Sequence, residues 1–402
     1  MSGGVDSSVA AGLLVEQGWD VRGVFMRVGH AAGGSELLPI APRSQGCCSA
    51  VDAADARRVA GRLGIPFYAL NFEAEFDRLI DRFAAQYAAA RTPNPCVVCN
   101  QDLKFGRLLD YARVVGADWI ATGHYARVER SGGRPRLRAA ADARKDQSYV
   151  LFGISRDALG RTLFPIGGLT KDEVRGAARR LGLGVHDKPE SQDICFVPDG
   201  DYAEVVRRRR PEAFEPGEIR HVDGRLLGRH DGLPRYTVGQ RHGLRVAAGS
   251  PVYVTRLEPE ANRVIVGPRE ALRSAGAEVR GVTWWIDPPE GPMRAAVRIR
   301  SNHQPAAATL TCPDRDRVEV RFDEAQSAVT PGQAAVFYEG DYVLGGGWIE
   351  PARDARGVTD RSDRGAVRLP GECLRLRAAE RGGGVADQRR SMGTNSRGGG
   401  PV

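Results

Sequence analysis

Three short strings in this 402-residue chain place chemically useful residue types close together. The first is Ser2-Gly3-Gly4-Val5-Asp6-Ser7-Ser8, directly before a helical pattern at 8–17. Glycines let a backbone approach an anion, and a helix N-terminus offers unpaired N–H groups at the positive end of its dipole. The serine hydroxyls add donors, and Asp6 is a candidate Mg²⁺ ligand. The plainer alternative is an ordinary N-capped helix after a Gly-Ser turn.

The second string is Thr92-Pro93-Asn94-Pro95-Cys96-Val97-Val98-Cys99-Asn100, followed by Leu103-Lys104-Phe105-Gly106. Two prolines stiffen the approach to a helix. A thiol near a helix N-terminus or beside a lysine is shifted toward thiolate, the form a nucleophile needs. The spacing fits half of a structural zinc site equally well. Cys47-Cys48 would be the other half, although adjacent cysteines ligate one tetrahedral ion poorly. The third string, Lys188-Pro189-Glu190-Ser191-Gln192-Asp193-Ile194-Cys195-Phe196-Val197-Pro198, brings a second thiol on a polar loop. Alone it reads as an inert buried cysteine; beside Cys99 it suggests a pair of reactive thiols.

These strings need elements to position them. Up to about residue 180, helical stretches (8–17, 50–63, 73–90, 105–115) alternate with strands (21–28, 66–71, 119–122). That alternation predicts an α/β domain with a doubly wound parallel sheet, whose ligands sit beyond the carboxyl ends of the strands. A phosphate loop of this kind normally follows a buried strand, yet the chain begins one residue before the motif. The first strand is therefore missing from the sequence: either the start is assigned too far downstream, the favoured reading, or the domain lacks a central strand and its loop is poorly anchored. After 198, turn signals such as Asp223-Gly224, Asp231-Gly232 and Glu339-Gly340 separate short β-prone runs at 251–257, 263–266, 295–299 and 334–338, which predicts two small β-rich or barrel domains. The expected division is 1–198, 199–270, 271–350 and a disordered Arg/Gly-rich tail at 351–402.

Composition sets limits. The formal charge is +8, from 58 Lys+Arg against 50 Asp+Glu. Residues 351–402 hold 11 Arg and 6 acids, a surplus of 5, so the other 350 residues carry only +3. Overall basicity is therefore a poor argument for a polyanion partner. Four of the basic residues are lysines (Lys104, Lys145, Lys171, Lys188), so arginine number carries little weight. The chain has no apolar run long enough to span a membrane and no visible secretory signal. An odd count of 7 cysteines does not suit a disulfide scaffold, and a reducing cytoplasm is the expected compartment.

SGGVDSS resembles the PP-loop of the ATP pyrophosphatases. Taken in order with TPNPCVVCN, LKFG, ATGHYARV (121–128), KDQSYVLFGI (145–154), KPESQDICF, YTVGQRHGL (236–244) and LGGGWI (344–349), it makes residues 2–349 resemble the bacterial tRNA-specific 2-thiouridylases. The resemblance implies ATP-dependent 2-thiolation of the wobble uridine of tRNA, through adenylation of the C2 oxygen. Cys195 would carry a persulfide and Cys99 would be the nucleophile that releases its sulfur, leaving a Cys99–Cys195 disulfide. Ser2, Gly3, Gly4, Val5, Asp6, Ser7, Ser8, Met26 and Gly123 would line the ATP site, with Mg²⁺ as companion. Asn94, Pro95, Cys96, His124, Lys145, Asp146, Gln147, Arg300, Ser301 and Gln333 would contact tRNA. Implied partners are the anticodon stem-loop and a persulfide donor protein, with the enzyme a monomer away from any membrane. No resident metal is assigned, although Cys96, Cys99 and Cys195 leave an iron–sulfur or zinc centre open. Two other functions compete: a PP-loop ligase or amidase without sulfur chemistry, and a non-catalytic RNA binder.

Overall fold

The computed structural model describes residues 1–29, 50–130, 133–189, 194–197 and 200–351. Cys47-Cys48, the stretch Glu190 to Asp193 and the tail from residue 352 onward lie outside them, with the expectations attached to each.

Helix α1 (Val5–Glu16) begins inside the glycine-serine string, because extended Gly4 acts as its N-cap and releases Val5 into the helix. Strand β1 (Gly23–Arg27) follows, then α2 (Ala50–Leu63) and β2 (Phe67–Asn71). β1 and β2 pair in parallel, Gly23 opposite Phe67 through Arg27 opposite Asn71, with α2 as the crossover. Helix α3 (Glu73–Ala88) buries Phe76, Leu79, Ile80, Phe83, Ala84 and Tyr87 along one face. Next comes a short α4 (Pro95–Val98). The sequence predicts one helix from 105 to 115; instead Cys99–Arg107 is a wide π-helical segment and α5 (Leu108–Val114) continues it. Buried Asn100 donates to the Val150 carbonyl at 3.1 Å and ties the wide turn to the tight turn at Ser148–Leu151.

The chain then forms β3 (Ile120–Ala121), β4 (Ala126–Glu129), β5 (Arg136–Ala139), α6 (Arg156–Gly160), β6 (Thr162–Leu163) and α7 (Lys171–Arg180). β3 and β6 pair in parallel. Parallel pairs with covering helices give the expected α/β layer, and among the described residues the β1–β2 and β3–β6 pairs share no ladder.

After α8 (Tyr202–Arg209), β7 (Gly217–His221), β8 (Leu226–His230), β9 (Tyr253–Glu258) and β10 (Arg263–Gly267) form a sheet of order β8-β7-β10-β9. It closes over Ile219, Val254, Val264 and Val266. The last strands are β11 (Arg273–Trp284), β12 (Met293–Arg298), β13 (Ala306–Asp314), β14 (Arg317–Ser327), β15 (Ala334–Glu339) and β16 (Tyr342–Ile349). Their order is β11-β14-β13-β12-β15-β16, and β16 returns to β11, closing a six-stranded barrel. The triple glycine of β16 permits that closure. A Cβ at Gly345 would lie 2.6 Å from the Thr283 carbonyl oxygen, at Gly346 2.7 Å from the Phe152 ring, and at Gly347 2.7 Å from the Arg280 carbonyl oxygen.

One connection escapes the sequence pattern. The β4–β5 hairpin belongs to the nucleotide half by sequence, yet β5 pairs with β16 of the barrel, Tyr342 opposite Arg138. Arg138 and Arg127 both reach Asp341 at 2.7 Å across this seam. Beneath it a common core joins Tyr149, Leu151, Phe152 and Leu137 to Ala334, Val336, Tyr338 and Val343. At about 1.5–3 kcal/mol per large buried side chain, this core holds the two regions together more strongly than surface ion pairs do. No helix among the described residues is long and apolar enough to cross a membrane.

Candidate functional site

The glycine-serine string forms a compact loop over the start of α1. Gly3 has φ +73°, and a Cβ there would lie 2.3 Å from the Asp52 carbonyl oxygen, so the loop lies directly on α2. Gly123 closes the other side, where a Cβ would stand 2.5 Å from the Ser7 nitrogen. No side chain caps α1, which leaves its first N–H groups for an anion. Ser8 Oγ donates to the Gly4 carbonyl at 2.7 Å, and Ser7 Oγ accepts from Ser2 N at 3.0 Å. The Met1 amino group donates to the Val24 carbonyl of β1.

Two lysines lock this loop. Lys171 Nζ donates to Asp6 Oδ1 at 2.7 Å, and the Tyr125 hydroxyl reaches the same oxygen at 2.9 Å. Lys188 Nζ donates to the Gly3 carbonyl at 3.1 Å, Asp52 Oδ1 at 2.6 Å and Asp55 Oδ2 at 2.7 Å. Burial disfavours the Lys188 charge, but the hydrogen bonds to Asp52 and Asp55 outweigh it and raise its pKa above the ordinary lysine range. These bonds hold the loop, unlike the poorly anchored loop of the alternative reading. Lys171, Lys188, Tyr125 and Asp52 were not among the expected site residues. A readable signal existed: all four lysines of this arginine-rich chain fall between 104 and 188, inside the nucleotide half. An ammonium can serve three acceptors around one point, as at Lys188, whereas the planar guanidinium fork cannot.

The cysteine strings meet beyond β1. Asn94 caps α4, accepting from Cys96 N at 3.1 Å and Val97 N at 3.4 Å, with Pro95 at the first helical position. Cys96 is exposed and Cys99 half-buried at the start of the π-helical segment, a feature often found at functional sites. Cys195 is exposed, while its neighbours Ile194 and Phe196 turn inward. Phe196 meets Phe83 and Phe76 edge-on, with ring centres 5.0 and 5.7 Å apart. The cluster they join also takes in Cys99, Leu103, Val28 and Met26 of β1. Cys99, Met26 and the two residues flanking Cys195 therefore share one apolar patch.

The residues expected to face RNA divide into two groups. Arg300 and Ser301 are exposed, as is Cys96. The others are buried or half-buried. His124 is 7% exposed, bonded through Nδ1 to Thr122 Oγ1 at 2.8 Å and flanked by Phe105 and Phe164. Burial first, and the Lys104 charge second, push its pKa well below the usual histidine value, so the ring is neutral. Asp146 accepts from Ala140 N at 3.0 Å and from Ser148 Oγ at 2.8 Å, and it pairs with Arg298 Nη1 at 2.5 Å. Gln147 Oε1 accepts from Tyr125 N at 2.9 Å, and Gln333 Nε2 donates to the Thr92 carbonyl at 3.0 Å. Lys145 is half-buried. The basic run at α8 is largely neutralised: Arg208 pairs with Glu204, Arg209 with Asp77 and Arg210 with Asp81, while Arg207 lies over Phe214.

Family profiles match along the chain in the same order as the architecture. Residues 1–199 match one described as a tRNA methyl transferase HUP domain. Residues 203–268 match its PRC-barrel domain, and 274–349 an aminomethyltransferase β-barrel domain. The chain is 51% identical to the tRNA-specific 2-thiouridylase MnmA of Geobacter metallireducens over 354 residues, 88% of this chain and 96% of the relative. It is 47% identical to the protein of the same name from Rhodopirellula baltica, covering 88% and 96%, and 46% identical to that of Clostridium perfringens, covering 87% and 97%. At these identities over nearly the full length of each relative, the chain belongs to the tRNA-specific 2-thiouridylase family.

Proposed function

We propose that this protein is an ATP-dependent tRNA-uridine 2-sulfurtransferase acting on the wobble uridine. One observation carries the sulfur chemistry: Cys99, Met26 and the residues flanking Cys195 share one apolar patch at the end of β1. Cys99 packs on this patch from the start of the π-helical segment, and exposed Cys195 is carried beside it by Ile194 and Phe196, an arrangement that supports a relay between the two thiols.

The loop suits the phosphates of ATP. Gly3 lets the loop lie against α2, α1 offers uncapped N–H groups after Gly4, and Ser2 and Ser7 add hydroxyls. For Mg²⁺ the fit is narrower. Asp6 Oδ1 is taken by Lys171 and Tyr125, and the described residues contain no group of three or more His, Cys, Asp or Glu able to hold a metal ion. We assign Mg²⁺ to the nucleotide phosphates, with Asp6 Oδ2 the carboxylate oxygen remaining to it. ATP supplies the electrophilic phosphorus that activates the C2 oxygen of the uridine as an adenylate, with release of pyrophosphate. The terminal sulfur of a Cys195 persulfide then bonds to C2, and AMP departs with the oxygen. Cys99 thiolate attacks Cys195 Sγ, the persulfide S–S bond breaks, and sulfur stays on C2. The resulting Cys99–Cys195 disulfide needs two electrons from an external thiol before the next turnover.

In this reading residues 1–198 carry the chemistry, while 199–270 and 271–350 seat the anticodon stem-loop and 351–402 stay outside the activity. Exposed Cys96, Arg300 and Ser301 face the RNA together with half-buried Lys145 and Asn94, while buried Pro95 starts the short helix that presents Cys96. His124, Asp146 and Gln147 hold the loops that present those contacts. A persulfide donor protein loads Cys195, and the enzyme works as a cytoplasmic monomer. The test is mass spectrometry of wobble uridines after incubation of tRNA with the protein, ATP and a persulfide donor. The expected product replaces one oxygen by sulfur and is lost in Cys99→Ala and Cys195→Ala; wild-type turnover by either variant would sink the relay.

A further inference from the structure

Thr92, at the head of the cysteine string, lies where the nucleotide half meets both β modules. The chain leaves α3 through Ala90 in the left-handed conformation (φ 55°), which turns Arg91 and Thr92 onto the barrel. There Thr92 N donates to the Pro331 carbonyl at 2.8 Å, and its own carbonyl accepts from Gln333 Nε2 at 3.0 Å. Thr92 Oγ1 stands 3.4 Å from Thr237 Oγ1 of the middle module. Arg91 grips the end of the last strand: Nη1 and Nη2 reach the two Glu350 oxygens at 2.8 and 2.9 Å, and Nη2 reaches the Ile349 carbonyl at 3.2 Å. A bidentate, half-buried pair of this kind fixes direction as well as distance.

Gly332 makes the close approach possible. It is buried, has φ +89°, and a Cβ there would lie 2.9 Å from Thr92 N and 3.0 Å from Arg91 Cβ. Its N–H is bonded back to the Ile349 carbonyl at 2.9 Å, so the turn cannot yield without loosening the closing strand. Downstream of Thr92 the chain has little slack. Pro93, the Asn94 cap and Pro95 at the first turn of α4 carry the position of Thr92 forward to Cys99.

We propose that the turn at 330–333 of the C-terminal barrel is a positioning device for Cys99, and that Gln333 acts on it through the Thr92 carbonyl. This rests on the reading of Cys99 as the nucleophile. The barrel then does two jobs: it presents a surface to tRNA and sets where the thiol stands. Small displacements of a reacting group are costly, so the clamp acts on the rate of the sulfur step.

The experiment uses the full-length protein and two readouts. One is the rate at which iodoacetamide alkylates Cys99 without tRNA, followed on the Cys99 peptide by mass spectrometry. The other is kcat and KM for tRNA in thiolation. For Gln333→Ala the expected result is an alkylation rate changed by about three-fold or more and a kcat lowered about ten-fold, with KM for tRNA held within about two-fold. Gln333→Glu keeps the shape but loses the donor and should match Gln333→Ala. Gly332→Ala should move both readouts further in the same direction; a thermal melt identifies any misfolding, and the Gln333 variants carry the test if it misfolds. Unchanged alkylation with a raised KM would make Gln333 an RNA contact and overturn the clamp, and wild-type behaviour of Gln333→Glu would overturn it too. If Cys99→Ala still thiolates tRNA, the nucleophile reading fails, while alkylation of Cys99 in the Gln333 variants still reports on the clamp.

Discussion

The nucleotide loop and the cysteine patch lie in the same half of the protein but are held in place by different physics. The loop is pinned by charge: Lys171 on Asp6, and Lys188 on Gly3, Asp52 and Asp55. The patch is pinned by shape: Phe196 wedged among Phe76 and Phe83, and the Thr92 backbone bonded to the barrel. Charge suits a loop whose backbone must stay open: Asp6, Asp52 and Asp55 offset the two ammoniums that hold it, so the attraction left for an anion comes from the uncapped start of α1. Shape suits thiols that must stay partly exposed, since packing of the neighbouring side chains fixes their place without burying the sulfur, and apolar burial would disfavour the thiolate.

The contrast can be broken experimentally. The largest expected effect is at the patch: Phe196→Ala removes a buried aromatic that touches two others and should cost about 4 kcal/mol in urea unfolding. A cost under about 1 kcal/mol would mean that the Cys195 segment is not held by packing. At the loop, Lys188→Met leaves Asp52 and Asp55 without their shared cation and should cost about 3 kcal/mol. Lys188→Arg keeps the charge but not the three-acceptor geometry, so ATP–pyrophosphate exchange should fall even where stability recovers. If the arginine variant behaves as wild type, charge alone pins the loop. The smallest effect is at His124, whose folded pKa lies below its unfolded one. Its contribution is complete above the unfolded value near 6.5 and is lost as pH falls toward the depressed folded value, by up to about 1.4 kcal/mol per pH unit. Stability measured between pH 7 and 5 should fall less in His124→Asn than in the wild type. Equal slopes would mean that the ring stays solvated.

Much of this was legible in the residues. The helix at 50–63 matches α2 (Ala50–Leu63), and the strand at 66–71 matches β2 (Phe67–Asn71) within a residue, because hydrophobic period and glycine stops are local signals. The helix at 105–115 was misjudged. Residues 99–107 wind as a π-helix where Asn100 bonds to Val150, fifty positions away, a contact that no local pattern carries. The β4–β5 hairpin was missed for a related reason, since it is stabilised by pairing with β16, more than two hundred residues later.

Residues by themselves determined which groups are present: two candidate thiols, a glycine-serine loop at a helix start, and glycines where strands must come close. The tertiary structure decided which polar groups stay available. Asp146, Gln147, His124 and Gln333 carry the same functional groups as surface residues, but folding supplied each with an internal partner. A hydrogen-bonding side chain is read as contact or brace only once its surroundings are known. Leaving a buried polar group unpaired costs about 1–3 kcal/mol, so a fold that can pair it internally does so.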